Sequence, residues 1–227
     1  MMCTICNELL GISKDNRFVV SNKFNMKNAF LAQDQYFSLI PSVGALSNGH
    51  CLIVPNTHCN SIFKYAGEGG LLSELKQFLA GAYDKLITEE DVDLLCFEHG
   101  SYSDEANYSL CSTSHAHLHV VPIQREKITP IVAKVEGLPE AGINDLAGLV
   151  KKTSQFTDYI TIFTFQAETI NNCKILNALE KPSQYIRKVI GEELENKNWN
   201  WKTSQNNDFT DETIASYFLR KEPVISY

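Results

Sequence analysis

Apolar residues along the chain form several short runs typical of strands and one longer run with helical spacing. The helix is predicted at 71–86, where apolar residues occupy positions 71, 72, 75, 78, 79, 82, 83 and 86. We expect this stripe to pack in the core. Strands are predicted at 17–20, 36–40, 50–54, 93–97 and 115–122.

Beyond residue 124 the pattern changes. The proline-containing segment 128–144 is predicted to be a connecting segment. After it the pattern predicts a helix at 145–152, a strand at 159–165, and helices at 183–194 and 210–221. Antiparallel strands with segregated helices indicate an α+β fold, and the C-terminal part forms an α/β extension.

Composition narrows the class of protein. The 227 residues are 44% hydrophobic and 21% charged, which excludes a disordered or collagen-like chain. A net charge of −7 argues against bulk binding to nucleic acid or an anionic membrane, although a local basic pocket remains compatible with it. We find no signal peptide and no apolar run near the ~20 residues that span a bilayer, and therefore expect a cytoplasmic chain without a membrane partner.

The seven cysteines are expected to be thiols or metal ligands in that compartment. Cys51, Cys96 and Cys173 lie in apolar runs and are predicted to be small buried residues. Cys3 and Cys6 differ, because two intervening residues let both sulfurs reach one metal ion. Alone, this spacing is also compatible with two terminal thiols.

All six histidines lie between positions 50 and 119, and three of them alternate as His115-Ala116-His117-Leu118-His119. On a strand, alternate residues share one face, so the three imidazoles would line one side and the apolar residues the other. Such a cluster requires an anion or a metal. A neutral imidazole can attack phosphorus while its neighbours contact the phosphate oxygens and donate a proton to the leaving group. A metal-binding face is the alternative.

Together these segments resemble the histidine triad (HIT) superfamily of nucleotide hydrolases and transferases. The alternating histidines resemble its central motif, and the segment 49–58 resembles its upstream Gly-His strand, which ends in a Pro and a further His. The 97–100 segment, Phe-Glu-His-Gly, occupies the place of its Asn-Gly turn, and Cys3-x-x-Cys6 is similar to the start of zinc-containing bacterial members. The resemblance covers 1–125, interpreted as a HIT domain, with 126–227 as a C-terminal extension packed on it.

The resemblance implies a half-barrel-like antiparallel sheet with two helices and cleavage of a nucleoside α-phosphate bond. It implies that His117 is the nucleophile, that His119 holds the phosphate oxygens and that His50 supports the site from the neighbouring strand. A nucleotidyl-histidine then divides one difficult displacement into two. Attack by water gives hydrolysis, and attack by a phosphate acceptor gives transfer.

The zinc-containing branch further implies a structural zinc ion whose four ligands are Cys3, Cys6, His58 and His115. Two thiolates and two imidazoles form a closed tetrahedral set. Zinc at this position would tie the N-terminus to the triad strand.

Two departures from the superfamily pattern concern the substrate. Its Gly-Gln-Ser corresponds here to Leu110-Cys111-Ser112, so only Ser112 remains as a hydroxyl for the scissile phosphate. The loop before the triad is also longer and carries acidic residues, which either close over substrate or stay solvated. We expect His99 to contact substrate phosphate or ribose rather than only cap the turn.

In the extension, Gln184 and Arg187 at the start of a helix are candidate substrate-binding residues, because a helix N-terminus favours anions. The alternative is that Arg187 pairs with Glu192 or another surface acid and that Trp199 and Trp201 only pack.

The leading hypothesis is a nucleotidyl hydrolase acting on a dinucleoside polyphosphate or a nucleoside phosphoramidate. A nucleotidyltransferase or phosphorylase is the second, and a non-catalytic nucleotide- or RNA-binding module is the third; the negative charge and the intact His117 argue against the third. A pure zinc sensor would not require six histidines. Because superfamily members often pair sheets edge to edge, a homodimer also remains open.

Overall fold

An antiparallel sheet is the framework of the molecule. The computed structural model describes residues 3–10, 30–103, 115–137, 142–179, 181–203, 209 and 212–213. The predicted strand at 17–20, the loop at 104–114 and most of the predicted helix at 210–221 lie outside this part of the chain.

Within the described residues the sheet has seven strands in the order β1-β2-β3-β5-β4-β6-β7, all pairs antiparallel. The strands are β1 (Ala32–Gln33), β2 (Phe37–Pro41), β3 (Cys51–Pro55), β4 (Val92–Ser101), β5 (Leu118–Gln124), β6 (Asp158–Gln166) and β7 (Thr169–Asn177). The helices are α1 (Thr4–Leu9), α2 (Ile62–Glu68), α3 (Leu72–Leu86), α4 (Arg125–Lys134), α5 (Leu146–Thr153) and α6 (Tyr185–Glu193). In these ranges no helix is long and apolar enough to cross a membrane.

Helices cover both faces of the sheet. Alternate residues of a strand point to opposite faces, so Leu94 and Leu95 of β4 belong to two different cores. The core containing Leu94 also contains the buried residues of α2, α3 and α5, and the core containing Leu95 contains those of α4 and α6. The middle strands are therefore buried on both faces.

The α+β class and the helix at 71–86 are confirmed, since α3 spans Leu72–Leu86. Cys51, Cys96 and Cys173 are buried thiols, as predicted. The structure also contains elements that the pattern did not predict, namely helices α1 and α2 and edge strands β1 and β7.

Three sequence predictions of local structure were wrong. The segment 128–144 begins inside helix α4, because Ile128, Ile131 and Val132 bury one face despite Pro130. The triad strand begins at Leu118, so the first two triad histidines precede it. Residues 97–100 form no turn, because they lie inside β4, where Gly100 faces Tyr159.

Candidate functional site

Three adjacent strands bring the side chains of the site together. His119 on β5 lies opposite Leu52 of β3 and Phe97 of β4. The Phe97 and His119 rings stack with centroids 4.1 Å apart and an interplanar angle of 10°. His50, immediately before β3, places its Nε2 2.9 Å from His119 Nδ1. Both imidazoles are buried.

The hydrogen bonds of this pair have a defined direction. The Leu46 backbone N–H donates to His50 Nδ1 at 3.0 Å, so this nitrogen carries a lone pair. Burial, together with nearby positive charge, holds the pKa of His50 and of His119 well below the ordinary value, so both rings are neutral. The proton of His50 therefore lies on Nε2, which donates to His119 Nδ1. The proton of His119 consequently lies on Nε2.

His117 is oriented by the backbone. Its Nδ1–H donates to the His115 carbonyl oxygen at 2.7 Å, so the neutral ring carries its lone pair on Nε2. The pKa of His117 is lowered from its ordinary value, mainly because the ring is buried. The hydrogen bond to His115 opposes this shift, and the Arg187 charge adds to it. The His117 and His119 ring centroids are 5.0 Å apart. A ring nitrogen with a lone pair, His117 Nε2, and a donor N–H, on His119 Nε2, therefore lie on neighbouring rings.

Two further candidate substrate-binding residues, His99 and Ser112, were predicted near the triad. His99 lies on β4 opposite Ile160, and burial lowers its pKa to about 4, with a smaller contribution from His117. The alternative that His99 caps a turn is wrong, because β4 continues to Ser101. Ser112 and the acidic residues of its loop lie outside the described residues.

A second cluster adjoins the triad. The ligand atoms of Cys3, Cys6, His58 and His115 all lie within 4.8 Å of one another. Cys6 Sγ is 3.3 Å from His58 Nδ1 and 3.4 Å from His115 Nδ1, and Cys3 Sγ is 3.7 Å from His115 Nδ1. Helix α1 carries Cys6 and is anchored by the buried Ile5.

This cluster fits a tetrahedral zinc ion. Zn–S bonds of about 2.3 Å and Zn–N bonds of about 2.0 Å imply ligand separations of roughly 3.5 Å, close to those present. His115 Nε2–H donates to the Pro55 carbonyl oxygen at 2.8 Å, which leaves the Nδ1 lone pair directed at the sulfurs. Burial and the neighbouring Cys3 raise the pKa of Cys6 to about 11, so a cation is required to hold Cys6 as a thiolate.

Arg187 is not the surface residue of the alternative interpretation, and Gln184, the other candidate from the extension, contacts the chain near Arg187. The expected pairing of Arg187 with Glu192 is not among the ion pairs of the described residues, where Glu192 pairs with Lys188 at 3.7 Å. Arg187 is on the buried side of α6, where its Nε–H donates to the Trp199 carbonyl oxygen at 3.0 Å. The Gln184 amide donates to Asn200 Oδ1 at 2.8 Å and accepts from the Trp201 N–H at 3.3 Å, so it holds the 200–201 segment.

Sequence reasoning missed the groups that orient the histidines. The Leu46 N–H and the Pro55 carbonyl belong to the backbone and carry no signal in residue type. Leu46 belongs to the loop 42–49. The sequence feature that could have pointed to this loop is its two glycines, Gly44 and Gly49, which both have positive φ in the structure. Such glycines indicate a tightly folded loop.

Strand order, alternating histidines and their directed hydrogen bonds define a protein of the histidine triad class. The chain belongs to the family described as "protein similar to CwfJ C-terminal", whose model matches residues 17–134, and the expected membership of the HIT-like superfamily is confirmed. This membership indicates a nucleotide-binding or hydrolase type of function and specifies no substrate.

Two solved structures resemble the chain at low identity. A zinc-bound histidine triad family protein from Mycobacterium smegmatis is 19% identical, with a TM-score of 0.34, and the match covers 55% of this chain and 76% of that one. A hypothetical histidine triad nucleotide-binding protein from Sulfolobus tokodaii is 17% identical, with a TM-score of 0.33, and the match covers 86% and 93%. No curated protein sequence matches the chain.

Proposed function

We propose that the protein is a nucleotidyl hydrolase that cleaves a nucleoside α-phosphate bond through a nucleotidyl-histidine intermediate on His117. The substrate class is a dinucleoside polyphosphate or a nucleoside phosphoramidate. The observation that carries this proposal is the 2.7 Å hydrogen bond from His117 Nδ1–H to the His115 carbonyl, because it directs the lone pair to Nε2.

In the first step the His117 Nε2 lone pair attacks the α-phosphorus. A P–N bond forms, the bond from phosphorus to the leaving group breaks, and its electron pair stays on the leaving group. A polyphosphate leaving group departs as an anion and needs no proton, whereas the amine of a phosphoramidate takes a proton from solvent as its bond to phosphorus breaks. The imidazole becomes cationic, and its Nδ1–H already points at a carbonyl oxygen whose dipole stabilises the new charge.

His119 contacts the phosphate in this scheme. Its Nε2–H donates to a non-bridging oxygen, while Nδ1 is held by the 2.9 Å hydrogen bond from His50. In the second step water attacks phosphorus, the P–N bond returns its electrons to Nε2, and the proton from water passes to solvent. The products are a nucleoside monophosphate and the neutral His117.

The Cys3, Cys6, His58 and His115 cluster would hold a structural zinc ion. Four protein ligands close a tetrahedral coordination sphere, so the ion would supply no chemistry to the reaction and would only stabilise the fold. Its contribution would be to immobilise His115, whose carbonyl orients His117.

The test offers a panel of α-³²P-labelled dinucleoside polyphosphates and nucleoside phosphoramidates to the wild-type chain and to His117→Ala. We expect wild type to release labelled nucleoside monophosphate and to trap label on protein after acid quenching. His117→Ala should lose both signals, a decrease of at least about a thousandfold in rate. Lys127→Gln, which removes a half-buried cation of α4 that pairs with Glu193 outside the triad, should behave as wild type.

The same panel separates the alternatives. Label that is trapped on wild type and released only when phosphate or a second nucleotide is added indicates a transferase or phosphorylase. A wild-type chain that binds nucleotides but neither cleaves them nor becomes labelled contradicts the enzyme proposal and supports a nucleotide- or RNA-binding module.

A further inference from the structure

Arg187, in the part of the chain beyond the triad, is a buried cation without an acidic partner. Arg187 is only 3% exposed. Of the five N–H donors of a guanidinium, one on Nε bonds the Trp199 carbonyl and one on Nη2 bonds the Gly44 carbonyl. Among the residues that the structure describes, the other three N–H groups have no hydrogen-bond acceptor. No carboxylate in the same residues forms an ion pair with the guanidinium.

The Gly44 contact connects Arg187 to the triad. Gly44 and Leu46 belong to the same loop, 42–49, and Leu46 N–H donates to His50. The guanidinium charge is one of the causes that lower the pKa of His50, His117 and His119. Arg187 lies on the buried side of α6, and its contact with Gly44 places it against the loop that also contacts His50.

A buried guanidinium without a counter-ion is unfavourable unless an anion binds it. Burial lowers the pKa of Arg187 only to about 10, so the group stays charged at neutral pH. The adjacent imidazoles are neutral and cannot balance it. A phosphate can, because its oxygens match the guanidinium fork and form charge-assisted hydrogen bonds.

We propose that Arg187 is the anion-binding group of the triad site, and that its N–H groups beyond the two carbonyl contacts bind non-bridging oxygens of the substrate phosphate. The C-terminal extension thereby supplies the positive charge of the site. This inference rests on the proposed function and adds to it the selection of a phosphorylated nucleoside over the same nucleoside without phosphate.

The surroundings hold Arg187 in a fixed position. Gly44 has a φ of +62°, and a Cβ at this residue would lie 2.9 Å from Trp201 Cβ, so the loop and the 199–201 segment are in close contact. Gln184 also holds that segment, through hydrogen bonds to Asn200 and Trp201. A guanidinium held by two carbonyls binds an anion with little further loss of side-chain entropy.

The test measures binding by calorimetry with the full-length chain. The probes are the four nucleoside 5′-monophosphates AMP, GMP, CMP and UMP, each compared with its nucleoside. Arg187→Gln should weaken monophosphate binding by about tenfold to a hundredfold and leave nucleoside binding unchanged. Lys188→Gln, which removes the adjacent exposed cation of α6, should match wild type.

The failures of the two proposals are distinguishable. If Arg187→Gln binds every monophosphate as tightly as wild type does, the assignment of Arg187 is overturned. The role of His117 is then unaffected. A wild-type chain that binds none of the monophosphates and cleaves nothing overturns both.

A measurement on wild type covers the case in which Arg187→Gln does not fold. With ¹⁵N-arginine labelling, the Arg187 Nε–H resonance can be assigned by replacing Arg17, Arg125 and Arg220 in turn. We expect saturating monophosphate to shift this resonance and the matching nucleoside to leave it in place. A resonance that does not move with any bound monophosphate overturns the proposal.

Discussion

At the residue scale, the carboxyl of Glu98 is buried in a hydrogen-bond network beside the triad strand. Its Oε1 accepts from the Ile62 N–H at 2.7 Å, and its Oε2 is bonded by the Tyr159 hydroxyl. That hydroxyl also lies 2.7 Å from Ser61 Oγ, which caps α2 by accepting from the Lys64 N–H. The network therefore joins β4, β6 and the start of α2.

This network predicts a pH dependence of stability. Burial raises the pKa of Glu98 from 4.5 to about 8, against the opposing effect of its two hydrogen bonds. The folded state therefore keeps a proton that the unfolded state loses between pH 4.5 and 8. The associated stability is complete below the unfolded pKa and decreases as pH rises towards 8, with a slope of up to about 1.4 kcal/mol per pH unit.

Urea unfolding of wild type and Glu98→Gln at pH 5, 6, 7 and 8 measures the effect. The free energy of unfolding of wild type should fall relative to that of Glu98→Gln across this range, because Gln cannot ionise. Glu126→Gln, an exposed glutamate of α4, should keep the wild-type slope. Equal slopes for wild type and Glu98→Gln would contradict a raised pKa at Glu98.

Residue spacing predicted which histidines share a site, but it did not predict how each ring is protonated. The alternation of His115, His117 and His119 and the Cys3-x-x-Cys6 pair are local patterns with a chemical meaning. The proton positions depend on the Leu46 N–H and the Pro55 carbonyl, which lie about 70 and 60 residues from the triad. Only the fold brings such backbone groups to the rings.

At the element scale, helix α1 has too few residues to be stable alone. Six residues are below the length at which isolated helices persist. Ile5 packs with Ile40, Leu52 and Val54, and Cys6 joins the candidate zinc cluster. The position of α1 against the sheet therefore depends on both contacts.

This dependence leads to a prediction about metal content. Wild type should contain about one zinc per chain, and Cys6→Ser should contain almost none. Cys59→Ser is the matched control, because Cys59 is adjacent to His58 yet outside the cluster. Elemental analysis measures zinc, and calorimetry should give a melting temperature about 5 °C or more lower for Cys6→Ser and for chelator-treated wild type. Full zinc content in Cys6→Ser would refute this ligand set.

The pattern predicted an element well where its buried residues form a single apolar stripe along the sequence. Helix α3 has a single apolar stripe and was predicted nearly to the residue. Strand β7 is an edge strand with several exposed polar residues, so its alternation is weak. Helix α4 contains Pro130, and its apolar face is stabilised by the second core rather than by propensity.

At the scale of the whole molecule, the C-terminal extension continues the sheet. Strand β6 pairs with β4 from Leu94 to Ser101, and β7 pairs with β6. The core that contains Leu95, Phe97 and Val121 is completed by apolar residues of β6 and α6. The loop 42–49 is bound by the extension as well, because Asn196 donates to the Leu46 carbonyl at 3.0 Å.

We therefore expect a chain cut after Gly137 not to fold as an independent HIT domain. The cut removes β6, which leaves the edge of β4 unpaired, and it uncovers apolar residues on β4 and β5. Unpaired edges and exposed apolar faces of this kind lead to aggregation. Co-expression of residues 138–227 should restore a soluble complex with cooperative unfolding, because the missing strand and core then return in trans. If residues 1–137 alone are monodisperse in sedimentation and unfold cooperatively in urea, the extension is dispensable for the fold, and its contacts with Gly44 and Leu46 serve the site alone.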